Sequence, residues 1–492
     1  MNHWPVIQLL LPLIAAPLCA LITRENPAWI LATIVTWASL AVAIVLNYQV
    51  VEFVSLSYHV GGWAPPWGIE IAIDSLNAMI LLLITGIATV VITAARESIL
   101  KEVAEEKVPL YYTAYLLSLA AMIGISITGD AFNVFVFLEI SSLSTYALIA
   151  MGRDRRALIA TYRYLIMGTI GATFILIGIG LMYQLTGTLN MADLASKLPA
   201  MHDNRVAQAA FGFFILGVSI KVALYPLHYW LPNSYTYAPS IASAFLAGTA
   251  TKVSMYILLR FIFSIFGVQF SFVELQVQHV LMPLAVLGIM VGSMAAIYQD
   301  DIKKVLAYSS VAQLSYMVLG ISIASKTSLT ASVVHIFNHG LVKSALFLCV
   351  AAMVYSVGSS KLEDLAGAAK RMPWTVAAFA VAGLSLIGIP LTVGFITKWY
   401  LILAVIEYGW WPLAIVLVVS SLMAVAYVWR MVDYLWFKPM SPLVEAHGAK
   451  PPRNILIPAA VLSFTCIYFG IDTGVTMGAA DRVVQALLGG TP

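Results

Sequence analysis

Long apolar runs follow one another along almost the whole chain, and they constrain the fold more than any other feature of the sequence. A helix needs roughly 20 apolar residues to cross the ~30 Å hydrocarbon core of a bilayer, and windows of that length recur from end to end. Hydrophobic residues make up 61% of the chain and charged residues only 10%. Because soluble domains carry about one quarter charged residues, the chain is predicted to be an all-α integral membrane protein.

The apolar windows predict about fourteen transmembrane helices. The predicted spans cover residues 4–23, 28–50, 73–96, 109–128, 130–151, 157–185, 206–230, 239–266, 279–299, 303–325, 328–356, 374–407, 411–437 and 454–471. The polar stretches between them are too short for a separate soluble domain, so we expect no catalysis on a soluble substrate. The net charge of +3 gives no reason to expect nucleic-acid binding.

Basic residues concentrate in alternate loops of this arrangement. They are Arg96, Lys101, Lys107, Arg153, Arg155, Arg156, Lys303, Lys304, Lys361, Lys370, Arg371, Lys438, Lys450 and Arg453. The other loops carry few, namely Lys197, Arg205 and Lys326. The positive-inside rule therefore predicts the basic loops in the cytoplasm and both termini outside.

Two segments outside the long helices have a character of their own. Residues 52–72 alternate around a Gly-Gly-Trp-Ala-Pro-Pro turn, which predicts a β-hairpin on the outer face. The tail from 472 to 492 is weakly amphipathic, and we expect it to lie along the surface.

Eight ionisable residues fall well inside these spans or beside a break in one of them. They are Glu139, Lys221, His228, Lys252, His335, His339, Lys343 and Lys398. A charged group at the bilayer centre costs ~2.5–3.5 kcal/mol even on translocon-insertion scales, so each one needs a reason. We take them as the candidate site residues. Arg163 and Arg260 lie nearer span ends, where a side chain that reaches back to the interface is the better explanation.

Glu139 and Lys221 each lie deep in an apolar span. Pro226 follows Lys221 and must disturb the hydrogen bonds of its helix, and a broken membrane helix is tolerated only where it faces protein or a water-filled cavity. His228, seven residues after Lys221, returns to about the same face if the helix continues. The alternatives are a helix-packing ion pair for Glu139 and a lysine that reaches an interface for Lys221.

His335, His339 and Lys343 follow at i+4 steps and form a polar ladder on one helix face, with rungs about 6 Å apart. Two histidines at this spacing can bind zinc, but no acidic or cysteine partner accompanies them, and the next rung is a cation. We therefore favour a hydrated proton path over zinc or inert packing. No metal or other cofactor is expected.

Lys398 lies beside a second predicted break, which contains Gly388, Pro390 and Gly394. Interrupted helices at corresponding places in two halves are typical of transporters with internal repeats, although an ordinary kink is the alternative. Lys252 occupies the centre of a span that is rich in Ala, Ser and Gly, where neighbouring helices can approach closely.

A single deep carboxylate among lysines and histidines suits protons better than sodium. Sodium is a hard cation that prefers several oxygen ligands, by the logic that governs calcium and magnesium. We expect a proton path in this chain, with Glu139 opposite Lys221 as its switch, and a sodium site, if there is one, elsewhere.

Four segments resemble signature segments of the antiporter-like subunits shared by respiratory complex I, membrane-bound hydrogenases and Mrp-type sodium/proton antiporters. They are HYWLPNSYTYAPSIASAFLAGTATKVSMYILLR at 228–260, QDDIKKVLAYSSVAQLSYM at 299–317, HIFNHGLVKSALF at 335–347 and GIPLTVGFITKW at 388–399. The likeness extends over nearly the whole chain, including the hairpin.

The resemblance implies two inverted repeats of five helices, helices 4–8 at 109–266 and helices 9–13 at 279–437. Residues 1–108 and 438–492 would flank them, and helices 7 and 12 would be discontinuous. It implies that Glu139 and Lys221 are the essential pair. Lys252, His335, His339 and Lys343 would lie along a central polar axis, with Lys398 as the terminal lysine.

Within this family, the length and the lysine at 398 look most like the D subunit of an Mrp antiporter, a secondary transporter subunit. Its partners would be a larger homologous subunit, several small hydrophobic subunits, protons and sodium, in the plasma membrane of a bacterium or archaeon. The alternatives are a proton-pumping subunit of a complex I-type dehydrogenase or hydrogenase, and a purely structural scaffold subunit.

Overall fold

The computed structural model describes residues 3–489, and these form a helical bundle with one small hairpin. The helices are α1 Trp4–Ala20, α2 Glu25–Phe53, α3 Ser75–Glu102, α4 Val108–Ile127, α5 Ala131–Ala150, α6 Arg156–Thr186, α7 Met191–Lys197, α8 Arg205–Val222, α9 Trp230–Tyr237, α10 Ser240–Gly248, α11 Ala250–Leu259, α12 Gln278–Ile297, α13 Ile302–Ile323, α14 Lys326–Val357, α15 Pro373–Ile387, α16 Val393–Glu407, α17 Trp411–Val432, α18 Pro442–His447, α19 Arg453–Ile471 and α20 Gly474–Leu487.

Several shorter helical turns complete the chain. The 3₁₀ turns are Val60–Gly62, Glu105–Lys107, Leu198–Met201 and Ala368–Lys370. The π-helical segments are Arg260–Ile265, Gln269–Glu274 and Asp433–Phe437. The first π-helical segment continues α11, so this helix reaches Ile265.

The predicted all-α membrane fold is confirmed. Within residues 3–489, twelve helices are long and apolar enough to cross a membrane, and α1 and α15 are shorter apolar helices. The seventh predicted span is interrupted between α8 and α9, and the twelfth between α15 and α16. Both discontinuities fall at the prolines that predicted them.

A further interruption at Thr249 separates α10 from α11, and the prediction did not include it. Thr249 has φ −121° and ψ −59°, so the helix axis is broken although the chain continues at once as α11. No proline occurs in the predicted span 239–266 after its first residue. The break instead follows Gly248 directly, and glycine is a poor helix former.

The predicted hairpin is confirmed, with shorter strands than expected. Strand β1 (Leu56–His59) pairs antiparallel with β2 (Glu70–Ile73), and Leu56 lies opposite Ile73. Residues 52 and 53 belong to α2 instead. The backbone N–H of Gly129 donates to the carbonyl oxygen of Glu70 over 2.8 Å, so the hairpin contacts the C-terminal end of α4.

The basic loops meet on the opposite face of the bundle. The backbone N–H of Arg153 donates to the carbonyl of Glu102 over 3.0 Å, and Asp301 forms an isolated bridge with Lys361. His3 lies on the hairpin face, where its Nδ1 is 3.2 Å from the hydroxyl of Tyr58. The alternation of loop charge therefore corresponds to two real faces, and the assignment of one face to the cytoplasm stays a prediction.

Helix α14 lies at the centre of the bundle. It packs against α3, α10, α13, α15, α16, α19 and α20. The amphipathic tail helix α20 lies on α3 and α14 and buries its apolar side there, including Ala480 and Val484. A helix surrounded in this way can carry polar side chains only if other helices cover them.

Helices α6 and α8 pack at close range through glycines. A Cβ added at Gly217 would lie 2.5 Å from the Gly171 carbonyl oxygen, whereas one added at Gly212 meets nothing within 4 Å. Small residues allow membrane helices to approach each other in this way.

We expect Gly217→Leu to destabilise the protein by ~1–3 kcal/mol, because the added side chain must push α6 and α8 apart. The measurement is the thermal unfolding of the protein in detergent. Gly212→Leu on the same helix is the matched control and should not lower the melting temperature. Equal melting temperatures for the two variants would contradict the close packing.

Candidate functional site

Glu139 and Lys221 meet between α5 and α8. Their Oε1 and Nζ atoms are 3.8 Å apart, and the Lys221 ammonium donates a hydrogen bond of 2.8 Å to the Ser142 hydroxyl. Lys221 is only 6% exposed, whereas the Glu139 side chain is 31% exposed. The lysine is therefore the enclosed member of the pair, and the glutamate is the member that can reach the edge of the bundle.

The end of α8 explains why a lysine is stable at this depth. The helix stops at Val222, and Ala223 takes a left-handed conformation with φ 63°. The last carbonyls of a helix lack intrahelical partners, and the helix dipole is negative there, so a cation is favoured. Trp230 uses one of these carbonyls, that of Ile220, as the acceptor for its indole N–H over 2.9 Å.

The expectation that His228 shares a helix face with Lys221 is wrong, because the helix does not continue past Val222. His228 lies in the break before α9, half-buried, and its ring stacks on Tyr225 with centroids 5.4 Å apart. Its Nδ1 has no hydrogen-bond partner within the described chain. His228 thus lies beside the interruption and not on the lysine's helix.

A small polar cavity leads from Lys221 towards α11. It has a volume of about 30 Å³ and is lined by Ser142, Lys221, Thr251 and Ser254 among others. The stacked rings of Tyr164 and Trp230, with centroids 4.0 Å apart, line the same cavity. A space of this size and polarity can hold ordered water.

Lys252 is fully buried at the interruption between α10 and α11. Its ammonium donates to the carbonyl oxygen of Ala247, near the end of α10, and lies 3.4 Å from the Thr251 hydroxyl. In residues 3–489, no carboxylate comes within 4.0 Å of this ammonium. Backbone and hydroxyl oxygens therefore take the place of a counter-ion.

The ladder predicted on α14 is present and buried. The rings of His335 and His339 stack with centroids 5.7 Å apart and 14° between their planes. His335 Nε2 and both ring nitrogens of His339 have no hydrogen-bond partner among the described residues. Lys343 donates to the Leu306 carbonyl at 2.8 Å and to the Ser309 hydroxyl at 2.5 Å.

Close packing brings the Lys252 region against this ladder. The hydroxyl of Ser344 on α14 donates to the carbonyl of Ala244 on α10 over 3.2 Å. A Cβ added at Gly340 would lie 3.0 Å from the carbonyl oxygen of Gly248. The interruption at Thr249 is thus held directly against the part of α14 that carries His339 and Lys343.

Lys398 lies on α16, which packs against α14 beside the ladder. Its ammonium donates to the Ile387 carbonyl, the last of α15, over 2.7 Å and to the Ser421 hydroxyl over 3.0 Å. It also lies 5.5 Å from the ring centroid of Tyr316. A narrow cavity of about 10 Å³ is lined by His335, Tyr316 and Lys398, so the histidine and the lysine border the same space.

The structure thus brings seven of the eight candidate residues into one row across the bundle. Glu139 and Lys221 form one flank, Lys252 and the α14 ladder form the centre, and Lys398 forms the other flank. We call this row the polar axis. His228 lies beside it.

Sequence reasoning missed the hydroxyl groups that hold the lysines. Ser142, Ser309 and Ser421 each accept a hydrogen bond from a lysine of the polar axis. Their signal in the sequence is weak, because serines and threonines are frequent throughout these apolar spans. The pair Ser141-Ser142, which follows Glu139 and Ile140, is the one place where the sequence suggests a hydroxyl group near a charged residue.

The zinc alternative finds no support in the geometry. Among the described residues, no three His, Cys, Asp or Glu side chains come together in a group that could hold a metal ion. His335 and His339 have stacked rings, and their next neighbour on the ladder is a lysine.

Comparison with known proteins identifies the family. Residues 128–424 match the family model described as NADH:quinone oxidoreductase/Mrp antiporter, TM. The N subunit of the NADH-quinone oxidoreductase of Desulforudis audaxviator is 38% identical over 95% of this chain and 96% of its own length. The chain belongs to this family. The D subunit of the Na(+)/H(+) antiporter of Alkalihalophilus pseudofirmus is 28% identical over 95% of this chain and 94% of its own length.

Solved structures have the same fold. A chain of the membrane-bound sulfane sulfur reductase, an archaeal respiratory complex, superposes with a TM-score of 0.91 at 27% identity, over 99% of this chain and 98% of that one. A chain of the Mrp complex from Dietzia sp. gives 0.90 at 24% identity, over 100% and 98%. This family member is therefore similar over its whole length to chains of both a respiratory complex and an Mrp complex.

The lack of a carboxylate beside Lys252 leads to a stability prediction. We expect Lys252→Met to raise the stability of the solubilised protein by ~1–4 kcal/mol, because a buried charge is replaced by an apolar side chain of similar size. The measurement is thermal unfolding in detergent.

Lys303 is the matched control, since it is also buried but lies 4.0 Å from the Glu102 carboxylate. Lys303→Met should destabilise the protein, because it leaves that carboxylate without its counter-charge. A loss of stability in Lys252→Met as large as that in Lys303→Met would contradict the interpretation of Lys252 as a buried cation without a carboxylate partner.

Proposed function

We propose that this chain is a proton-translocating subunit of a larger membrane complex and that protons move along the polar axis. The observation that carries the proposal is the row of buried lysines and histidines held by hydroxyl and carbonyl oxygens. Apart from Glu139, no carboxylate of the described chain lies within 4.0 Å of the ammonium groups in this row. Buried ionisable groups in a membrane mark ion paths and proton relays.

In this mechanism the Glu139–Lys221 pair is the switch. The carboxylate stabilises the ammonium of Lys221, and movement of Glu139 away from it favours release of the proton. The proton then passes through water in the cavity that reaches Thr251 and on to the Lys252 region. The α14 ladder carries it towards Lys398, and each lysine changes charge in turn.

The same chemistry disfavours sodium as the ion that moves along this row. Sodium requires several oxygen ligands at once, and the groups that line the axis are mainly ammonium and imidazole. If the complex exchanges sodium, we place the sodium path outside the polar axis.

The relatives favour a redox-driven complex over an Mrp antiporter. The N-subunit relative is 38% identical, while the D subunits of A. pseudofirmus and Bacillus subtilis are 28% and 26% identical. We therefore propose a pumping subunit of a redox complex as the first candidate. The D subunit of an Mrp antiporter, which the length and Lys398 suggested, is the second, and the TM-score of 0.90 to the Mrp complex supports its fold alone.

We propose that the chain works beside other hydrophobic subunits in the plasma membrane of a bacterium or archaeon, with both termini outside. The partial exposure of the Glu139 side chain supports a protein neighbour on that side, because a carboxylate facing lipid is costly. The paired interruptions support the two inverted repeats at 109–266 and 279–437, with 1–108 and 438–492 outside them.

We expect Lys221→Ala to reduce proton translocation by about 100-fold or more, the scale expected for loss of a positioned acid–base group. The measurement is the pH change in vesicles that carry the full complex. Lys326→Ala, at an exposed lysine at the start of α14, is the control and should leave the rate unchanged. Full transport by an assembled Lys221→Ala complex would place the proton path outside this chain.

The driving reaction distinguishes the two complexes. We expect wild-type vesicles to acidify or alkalinise on addition of an electron donor and acceptor, and to give no pH change with a sodium gradient alone. A pH change driven by sodium without electron transfer would favour the Mrp antiporter instead. If the pH change driven by electron transfer or by sodium is lost in Lys221→Ala, that pH change depends on the polar axis.

A further inference from the structure

A second cavity, which contains several ionisable side chains, opens on the hairpin face, away from the polar axis. It has a volume of about 260 Å³ and lies between β2, α3, α7 and the π-helical end of α11. Glu70, Asp74 and Arg260 are its ionisable lining groups besides the phenol of Tyr256, so it carries two carboxylates against one guanidinium. A cavity with this charge attracts protons from the outer solution.

An ion pair forms the inner wall of this cavity. Arg260 Nη1 lies 2.7 Å from Asp74 Oδ2, and Arg260 Nη2 donates to Asp74 Oδ1 over 2.9 Å and to Asn77 Oδ1 over 2.8 Å. Arg260 was expected only to reach back to the interface. Its side chain is instead 14% exposed and fixed by these bonds.

Tyr256 lies directly behind the ion pair. Its hydroxyl is 3.0 Å from Asn77 Nδ2, and the Arg260 guanidinium is 5.4 Å from its ring centroid. The residue lines the cavity but is only 1% exposed. A buried phenol of this kind can both accept and donate a proton at its oxygen.

Helix geometry connects Tyr256 with the polar axis. Lys252, Tyr256 and Arg260 follow at i+4 steps, so they lie on one helix face with about 6 Å between rungs. Lys252 is the rung at the centre of the bundle, and Arg260 is the rung at the outer cavity. Tyr256 is therefore the intermediate residue at this spacing.

We propose that this outer cavity is an aqueous access to the polar axis, in which the Tyr256 hydroxyl passes protons between the cavity and Lys252. The inference rests on the proposed function, since it concerns the same proton path. In each transfer the phenol oxygen accepts one proton from one side and gives its own proton to the other. The Asp74–Arg260 pair covers the inner wall, so larger cations meet a closed surface while a proton can pass along hydrogen bonds.

The test blocks the cavity after the complex has assembled. Ala195 lines the cavity, and its neighbour Ser196 on the same short helix is exposed and does not. Each is replaced by cysteine and labelled from the outer side with a membrane-impermeant methanethiosulfonate. The native Cys19, Cys349 and Cys466 are buried, and unmutated protein treated in the same way checks that they do not react.

We expect the label to slow proton translocation by about tenfold or more in Ala195→Cys, while labelled Ser196→Cys keeps the full rate. Tyr256→Phe should show a similar loss. Tyr235→Phe is its matched control, because Tyr235 is equally buried and donates to the Leu246 carbonyl over 3.1 Å.

Full transport in labelled Ala195→Cys, or in assembled Tyr256→Phe, would overturn the outer access. The Lys221→Ala variant separates this outcome from failure of the proposed function. If Lys221→Ala blocks transport and the labelled Ala195→Cys protein does not lose activity, only the outer access fails. If Lys221→Ala transports normally, the proposed function itself fails.

Discussion

The cost of holding an ammonium group away from water is the constraint on which the rest of the bundle depends. Lys221 lies in the last turn of α8, Lys252 donates to a carbonyl near the end of α10, and Lys398 donates to the last carbonyl of α15. Helix ends supply carbonyl oxygens without intrahelical partners and the negative end of the helix dipole. The interruptions are therefore the means by which a nearly carboxylate-free interior accommodates cations. At two of the three breaks a lysine donates to a carbonyl oxygen near the helix end, whereas the Lys221 ammonium is held by the Ser142 hydroxyl and the Glu139 carboxylate.

The same constraint decides which parts of the structure could be predicted from the sequence. Hydropathy predicts the spans because lipid exposure acts on each helix separately, and Pro226 and Pro390 predict two interruptions because the ring blocks the local hydrogen bond. The break at Thr249 follows Gly248 without a proline, and its contact with α14 joins residues so far apart in the chain that no local signal reports it. The wrong expectation for His228 has the same origin. A periodicity argument assumes that the helix continues, and the helix ends at Val222.

The hydrogen-bond partners of the candidate residues were equally difficult to predict from the sequence. Glu139 and Lys221 were expected to act together, and the structure brings their charged atoms within 3.8 Å of each other. Nothing in their sequence spacing, however, predicts that the Ser142 hydroxyl would accept a hydrogen bond from the lysine. Hydroxyl groups in membrane helices often bond their own backbone, and Ser142 also donates to the Leu138 carbonyl. Only the structure distinguishes such a serine from one that also solvates a charge. The same is true of Tyr256 and Arg260, which look like ordinary residues near the end of a span.

The uninterrupted length of α14 has a consequence for how the axis can be switched. At 32 residues, this helix is about 48 Å long, and its three ionisable rungs belong to one rigid body. Helix geometry fixes the spacing of their Cα atoms, so only side-chain rotation can change the distances between their ionisable groups. A change of the path that involves movement of the backbone therefore occurs where α14 meets the broken helices on either side. Helix α14 thus provides fixed backbone positions for its ionisable residues, and its contacts with the broken helices are where proton flow is controlled.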